Sequence, residues 1–351
     1  MALIDKLLGK LQRHPKRIVF PEGADARIIQ TARQLATRRC GVPVLLGDRA
    51  EIKDRARRLD IRLDGIRILE PERSEDFELF LPMVDAHPRF GSFTPSEKRA
   101  LLLDRHNFAA LMLTSGRVDA LVGGATVTAS SGLRSLFRIV PKQNGVKSAS
   151  SMLILDQEKP EFGFGGLLFL ADCGVIPEPT TEQLADIAVT TASIAGHLTG
   201  EIPRVALLSY STHSPNPPAD IQRLREAVEI ARVRAKNLKI ELLVDGELQL
   251  DAALDPETAE QKGVGTSPVA GRANVLVFPN LHAGNIAAKM IQTVAGARTY
   301  GQIITGLNRP CAEISRGAHI YDVFGTAVIT ACQAIDQKLL LSSSATEEST
   351  A

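Results

Sequence analysis

Short apolar runs recur along this chain, each closed by a polar or glycine-containing turn and separated from the next by a helical pattern. Ile18-Val19-Phe20 ends in Pro21-Glu22-Gly23, and Asp25 then opens a helix with the apolar face Ala26, Ile29, Ala32, Leu35 and Ala36. Val42 to Leu46 is closed by Gly47-Asp48. A polar helix to Leu59 follows, then the strand Ile66 to Leu69, another helix, a long helix near Thr94 to Ser115, and the strand Ala120-Leu121-Val122. Parallel neighbours need a crossover connection, which a helix supplies, so this rhythm predicts an α/β chain with parallel strand pairing. Open sheets of this class bind ligands outside the carboxyl ends of their strands, which makes the loop after Val122 a candidate ligand floor.

Pro141-Lys142-Gln143-Asn144-Gly145 has the composition of a hinge. Beyond it the pattern predicts strands at Ser151 to Leu155 and Gly166 to Leu170, then a helix introduced by Thr180 and Gln183 at capping-box spacing. Strand Val205 to Ser209, helix Ile221 to Ala235, and strands Glu241 to Val244 and Asn274 to Phe278 follow, then the helix Ile286 to Ala295. Gly296 to Gly301 reads as a second crossing, strand Gln302 to Thr305 comes next, and a last helix runs from Asp322 to about Leu340. The expected division is a first α/β domain of residues 1–145 plus 300–340, a second of 146–299, and a Ser/Thr/Glu-rich disordered tail, 341–351.

Bulk properties narrow the function. The 351 residues are too many for one small core. Basic and acidic residues nearly cancel, 41 against 40, so no broad positive field exists for nucleic acid or an anionic membrane. Any phosphate recognition must come from a few placed residues. Met1 to Gln12 reads as an amphipathic helix rather than a signal peptide, and no apolar run approaches the roughly 20 residues of a membrane span. The chain is expected to be soluble and cytoplasmic. Its four cysteines, Cys40, Cys173, Cys311 and Cys332, form no CxxC pair and no metal-like spacing with the histidines, so reduced, packed thiols and no metal site are expected.

No GxGxxG, P-loop, HExxH or GxSxG motif is present. What remains are polar, glycine-punctuated loops at strand ends. The densest is Thr305-Gly306-Leu307-Asn308-Arg309-Pro310, followed by Ser315-Arg316-Gly317 and Asp322; arginine forks suit a bidentate grip on phosphate. The residues alone leave a structural role open, since Asp322 could cap a helix and Ser315 could bond a turn. The second stretch runs from Gly123 to Arg134, where small residues allow backbone N–H groups to approach an anion at a helix start, or merely pack. Asp245-Gly246-Glu247 reads as a solvated turn after a strand.

Together, Pro21-Glu22-Gly23, Val122 to Thr128 with Arg134, Ala171-Asp172-Cys173, Leu208 to Thr212, Val244 to Gln249, Ser267 to Asn274, Gly284-Asn285, Gly306 to Pro310 and Ser315-Arg316-Gly317 resemble the phosphate acetyltransferase family, in that family's order from about residue 16 to 335. The resemblance implies a two-domain α/β fold of the isocitrate/isopropylmalate dehydrogenase-like type, a homodimer, and an active site in the interdomain cleft. It implies an acyltransferase of acetate metabolism that interconverts acetyl-CoA plus phosphate with acetyl phosphate plus CoA. Coenzyme A would then be a substrate, with no permanently bound cofactor. Matched position by position, the catalytic residues are Ser315, Arg316, Asp322 and Arg134. Thr128, Ser131, Asn308 and Arg309 are expected to bind substrate, and Arg89 is a weaker match to a CoA-binding arginine.

The chain also departs from the family pattern. Thr126-Val127 stands where a Val-His pair is usual, Ser135 replaces a proline, and Arg309 replaces a lysine. The loop His213-Ser214-Pro215-Asn216-Pro217-Pro218 is proline-rich where the family has glycine, which stiffens a loop that would otherwise close freely. Cys173 matches a cysteine common in the family and reads as structural. Three alternatives remain at this level: a phosphate acyltransferase for a longer chain such as butyryl, a non-catalytic regulator that binds acetyl-CoA or acetyl phosphate, and, by fold analogy alone, a dehydrogenase.

Overall fold

The computed structural model describes residues 2–157 and 159–335, so the expected tail at 341–351 and a last helix reaching Leu340 fall outside the described residues. Two compact units make up the chain: residues up to Pro141 together with the segment from Asn308, and Lys142–Leu307.

The first unit begins with α1 (Ala2–Arg13), β1 (Lys16–Phe20), α2 (Ala26–Thr37), β2 (Gly41–Leu46), α3 (Arg49–Arg58) and β3 (Arg67–Leu69). It continues through α4 (Asp76–Ala86), α5 (Pro95–Leu103), α6 (Arg105–Thr114), β4 (Ala120–Gly123) and α7 (Ala129–Ile139), and ends with β11 (Cys311–Glu313) and α13 (Ile320–Gln333). Its strands lie in the order β3-β2-β1-β4-β11 and every pair is parallel, as the helix-separated rhythm predicts. Ile18, Val19 and Phe20 of β1 and Leu45 and Leu46 of β2 are wholly buried, each side chain stabilising the fold by roughly 1.5–3 kcal/mol. The amphipathic α1 buries Leu7 and Leu11 and packs on α13, where the Cys332 thiol points to the Leu7 carbonyl.

Local chemistry sets the helix ends. Asp25 caps α2 by accepting the N–H groups of Arg27 and Ile28. The expected long helix from Thr94 to Ser115 is two helices. Asp104 adopts an extended conformation (φ −69°, ψ 120°), ends α5, and caps α6 through the N–H groups of His106 and Asn107. An aspartate that offers a better bond to the backbone than another helical turn does breaks the run.

The second unit contains β5 (Ser150–Asp156), β6 (Leu167–Ala171), α8 (Thr181–Thr199), β7 (Arg204–Leu208), α9 (Ala219–Asn237) and β8 (Leu243–Leu248). It is completed by α10 (Leu250–Leu254), α11 (Pro256–Gln261), β9 (Val275–Val277), α12 (Leu281–Val294) and β10 (Arg298–Thr305). Its strand order is β10-β5-β6-β9-β7-β8, and β10, β5 and β6 run antiparallel while the rest are parallel. Thr180 and Gln183 form the capping box that their spacing predicts.

Asp245 and Glu247 correct the expectation of a solvated turn. β8 runs on through both residues, Asp245 in parallel register with β7 and Glu247 at a register shift, and both are buried. Glu247 receives Arg225 Nε at 2.7 Å, the Ser214 N–H at 2.7 Å and the Ser211 hydroxyl at 3.1 Å. These bonds pin the proline-rich loop. Burial works to raise the Glu247 pKa, but Arg225 and the loop donors outweigh it and hold the carboxyl down at about 2. A depressed pKa gives stability that is complete above the unfolded value near 4.5 and is lost as pH falls toward 2, on the order of 3 kcal/mol in all. Urea denaturation from pH 7 to pH 3 should therefore show wild type losing stability faster than Glu247→Gln; parallel curves would reject this account.

Candidate active site

Two loops of the first unit carry the candidate residues. One follows β4, crosses Gly124 to Thr128 and enters α7. The other follows β11 and runs from Ile314 to His319 before α13.

Thr128 occupies the N-cap position of α7 without making a side-chain capping bond; its hydroxyl lies 3.1 Å from that of Ser130. The exposed Ser131 and Arg134 project from the first two turns of that helix. On the other loop Ser315, Arg316 and Gly317 are exposed. The Ser315 Oγ accepts the Gly317 N–H at 3.3 Å, which leaves its own proton for another partner. Neither Arg316 nor Arg134 has a side-chain hydrogen bond or ion pair among the described residues. Asp322 is not the N-cap of α13. His319 takes that position, and the Asp322 carboxylate, three residues on, accepts the His319 N–H at 3.0 Å in a capping box.

The other expected residues spread around this pair of loops. The Asn308 N–H donates to the Pro141 carbonyl at 2.9 Å, and Arg309 is half-buried beside it. Arg89 is exposed and donates at 3.2 Å to the Phe137 carbonyl near the end of α7, the helix that bears Arg134.

Residues that do not stand out in the sequence hold the two loops together. Arg27 spends its whole guanidinium on this task. Nε and Nη2 grip Asp25 at 3.1 and 3.0 Å, Nη1 donates to the carbonyls of Arg316 (2.7 Å) and Ala318 (3.1 Å), and Nη2 reaches the carbonyl of Ala125 (2.7 Å). The backbone adds a direct link, the Ile314 N–H to the Gly123 carbonyl at 2.7 Å. Beneath the first loop, the buried Glu22 accepts the N–H groups of Thr126 (3.0 Å) and Val127 (3.4 Å). His106 Nε2 lies 3.5 Å from the same oxygen, long for a hydrogen bond. Burial alone would raise the Glu22 pKa, yet His106 and the loop N–H groups prevail and keep it below the ordinary carboxylate range.

Gly124 must be glycine. It has φ +97°, and a Cβ there would lie 2.9 Å from both Glu313 Oε1 and the Ile314 nitrogen. All four cysteines are buried, and burial pushes the Cys173 thiol far above its usual range, which makes it a poor nucleophile. Chemically, the loops offer free guanidinium groups, hydroxyls, a helix start without a side-chain cap and a carboxylate. Such a set suits a phosphate-bearing, anionic substrate.

Comparison with known proteins agrees with this chemistry. Residues 2–331 match the sequence profile described as phosphate acetyl/butaryl transferase. The phosphate acetyltransferase of Thermoanaerobacterium thermosaccharolyticum is 39% identical over 334 residues, 95% of this chain and 100% of that protein. Two solved structures, the EutD phosphotransacetylase from Staphylococcus aureus and a phosphotransacetylase from Streptococcus pyogenes, superpose with TM-scores of 0.84 and 0.83. Both are 33% identical, with coverage of 95% and 94% of this chain and 98% of each of theirs. The fold is the α/β type in two compact units that the motifs imply, and the two phosphotransacetylases share it.

Proposed function

Because the chain belongs to the phosphate acetyl/butaryl transferase family, we propose that it is a phosphate acetyltransferase, moving an acetyl group reversibly between CoA and inorganic phosphate. The observation that carries this reading is the pair of exposed arginines, Arg134 on α7 and Arg316 on the loop after β11, with Arg27 clamping that loop to the one that leads into α7. Phosphate and the developing oxyanion are both negative, and fixed cations placed where that charge grows lower the barrier directly.

In the direction of acetyl-CoA synthesis, the CoA thiol attacks the carbonyl carbon of acetyl phosphate, and phosphate leaves as the tetrahedral species collapses. A thiol with a pKa of about 8.5 is mostly protonated at neutral pH, so Asp322 takes its proton while the Ser315 hydroxyl steadies the sulfur. A carboxylate, whose ordinary pKa is about 4, is a poor base for a thiol. Positioning and arginine charge therefore supply most of the rate enhancement, and no covalent acyl-enzyme is needed. Thr128, Ser131, Asn308 and Arg309 complete the substrate contacts, and Arg89 reaches toward the CoA phosphates. The reading includes a cytoplasmic homodimer that uses CoA, phosphate and acetyl phosphate without a resident cofactor. No helix among the described residues is long and apolar enough to cross a membrane.

Purified protein given acetyl phosphate and CoA should produce thioester absorbance. The same assay with propionyl and butyryl phosphates sets the chain length, and silence with all of them would reject the reading.

A further inference from the structure

Glu313, the last residue of β11, is 4% exposed and lies two positions before Ser315. Glycines make room for its carboxyl. A Cβ at Gly132, in the first turn of α7, would stand 2.5 Å from its Cδ and 2.6 Å from Oε2; Cβ atoms at Gly124 and Gly123 would stand 2.9 and 3.1 Å from its oxygens. Oε1 finds no hydrogen-bond partner among the described residues. A polar group enclosed in this way costs free energy, and the surrounding glycines show that the backbone is fitted around it.

Resting on the function proposed above, we propose that the Glu313 carboxyl is a positioning group: wedged between β4 and the first turn of α7, it seats the helix bearing Arg134 against the strand that leads into Ser315 and Arg316. The titratable groups facing the wedge are Glu22, from the turn after β1, His106, from α6, and the buried Cys311 thiol two residues back on β11; β4 and the first turn of α7 meet it with glycines. Glu22 and Glu313 are both buried and act on each other as like charges, so they cannot both ionise cheaply. Glu22 has the Thr126 and Val127 N–H groups to hold its charge, whereas Glu313 Oε1 has no hydrogen-bond partner among the described residues, so the proton stays on Glu313. Burial, with Glu22 adding to it, raises the Glu313 carboxyl to about 9. A neutral wedge therefore holds the loops in place at pH 7. Above pH 9 a second negative charge facing Glu22 drives them apart.

The test compares wild type, Glu313→Gln and Glu313→Ala over pH 6 to 10 with acetyl phosphate and CoA, alongside hydrogen exchange at pH 7. The isosteric, neutral glutamine should keep kcat within about threefold of wild type at pH 7 and abolish the alkaline decline expected of wild type near pH 9. That decline runs opposite to the rise expected from CoA thiolate formation, so the two are separable. Alanine empties the wedge; it should lower kcat about tenfold or more with a smaller change in KM, and speed exchange at residues 129–134 and 315–318. Wild-type kcat and exchange in Glu313→Ala, or an alkaline decline that survives in Glu313→Gln, would overturn the proposal. A wild type inert toward every acyl phosphate would refute the proposed function instead, and the exchange comparison would still decide the role of the wedge.

Discussion

Arg316→Ala is expected to lower kcat by about 100-fold or more while the protein melts as wild type does, because fixed positive charge at a developing oxyanion is worth that much. The structure separates the two effects cleanly. The Arg316 side chain is exposed and makes no hydrogen bond or ion pair among the described residues, whereas its carbonyl, which Arg27 holds at 2.7 Å, survives the substitution. Asp322→Asn should cost a similar factor, on the order of 100-fold, through loss of the base. Asparagine retains an oxygen to accept the His319 N–H, so the cap on α13 persists and a fall in activity is not a fall in stability. Steady-state kinetics with acetyl phosphate and CoA, paired with thermal melts, decide the matter. Turnover near the wild-type rate in either variant would remove that residue from the chemistry.

Whatever is encoded locally could be read before folding. Asp25 before an apolar face, Thr180 with Gln183, and strands separated by helices all concern residues a few positions apart, and the structure contains each as expected. The loops after β4 and β11 were legible as polar, glycine-rich strand ends. Asp104 was not, because a single aspartate in a helical stretch is as often a solvated residue as a stop signal. Long-range partners escaped altogether. Arg27 looks like an ordinary charge on the polar side of α2, and its decisive acceptors, at Arg316 and Ala318, lie 289 and 291 residues away. Glu313 drew no reading at all and Glu247 read as part of a solvated turn, since carboxylates are seldom buried unless paired. Only folding brings Gly132 to the one and Arg225 to the other. The glycine at 132 was visible within a stretch read as an anion-binding or merely packed loop, but with no acid near it in sequence nothing tied it to Glu313.

Arg27→Ala is the second change expected to act strongly, through geometry rather than contact with substrate. The guanidinium ties three carbonyls from two loops to Asp25, and a planar fork is the one side chain able to serve all of these acceptors at once. With the fork gone, water can satisfy the carbonyls of the part-exposed loops, so stability should fall by only about 1–3 kcal/mol. Water cannot hold the two loops in register. A displacement of about 1 Å at a reacting centre costs roughly 100-fold, so kcat should drop between about 10- and 100-fold, with KM for acetyl phosphate changing less. Arg27→Lys keeps the charge but not the fork. If position is what matters, lysine should recover little of the lost kcat; if charge near the site is what matters, lysine should recover most of it. Full activity in Arg27→Ala would mean that the backbone link from Ile314 to Gly123 suffices to align Arg134 with the Ser315 loop, and the clamp would then be a matter of stability alone.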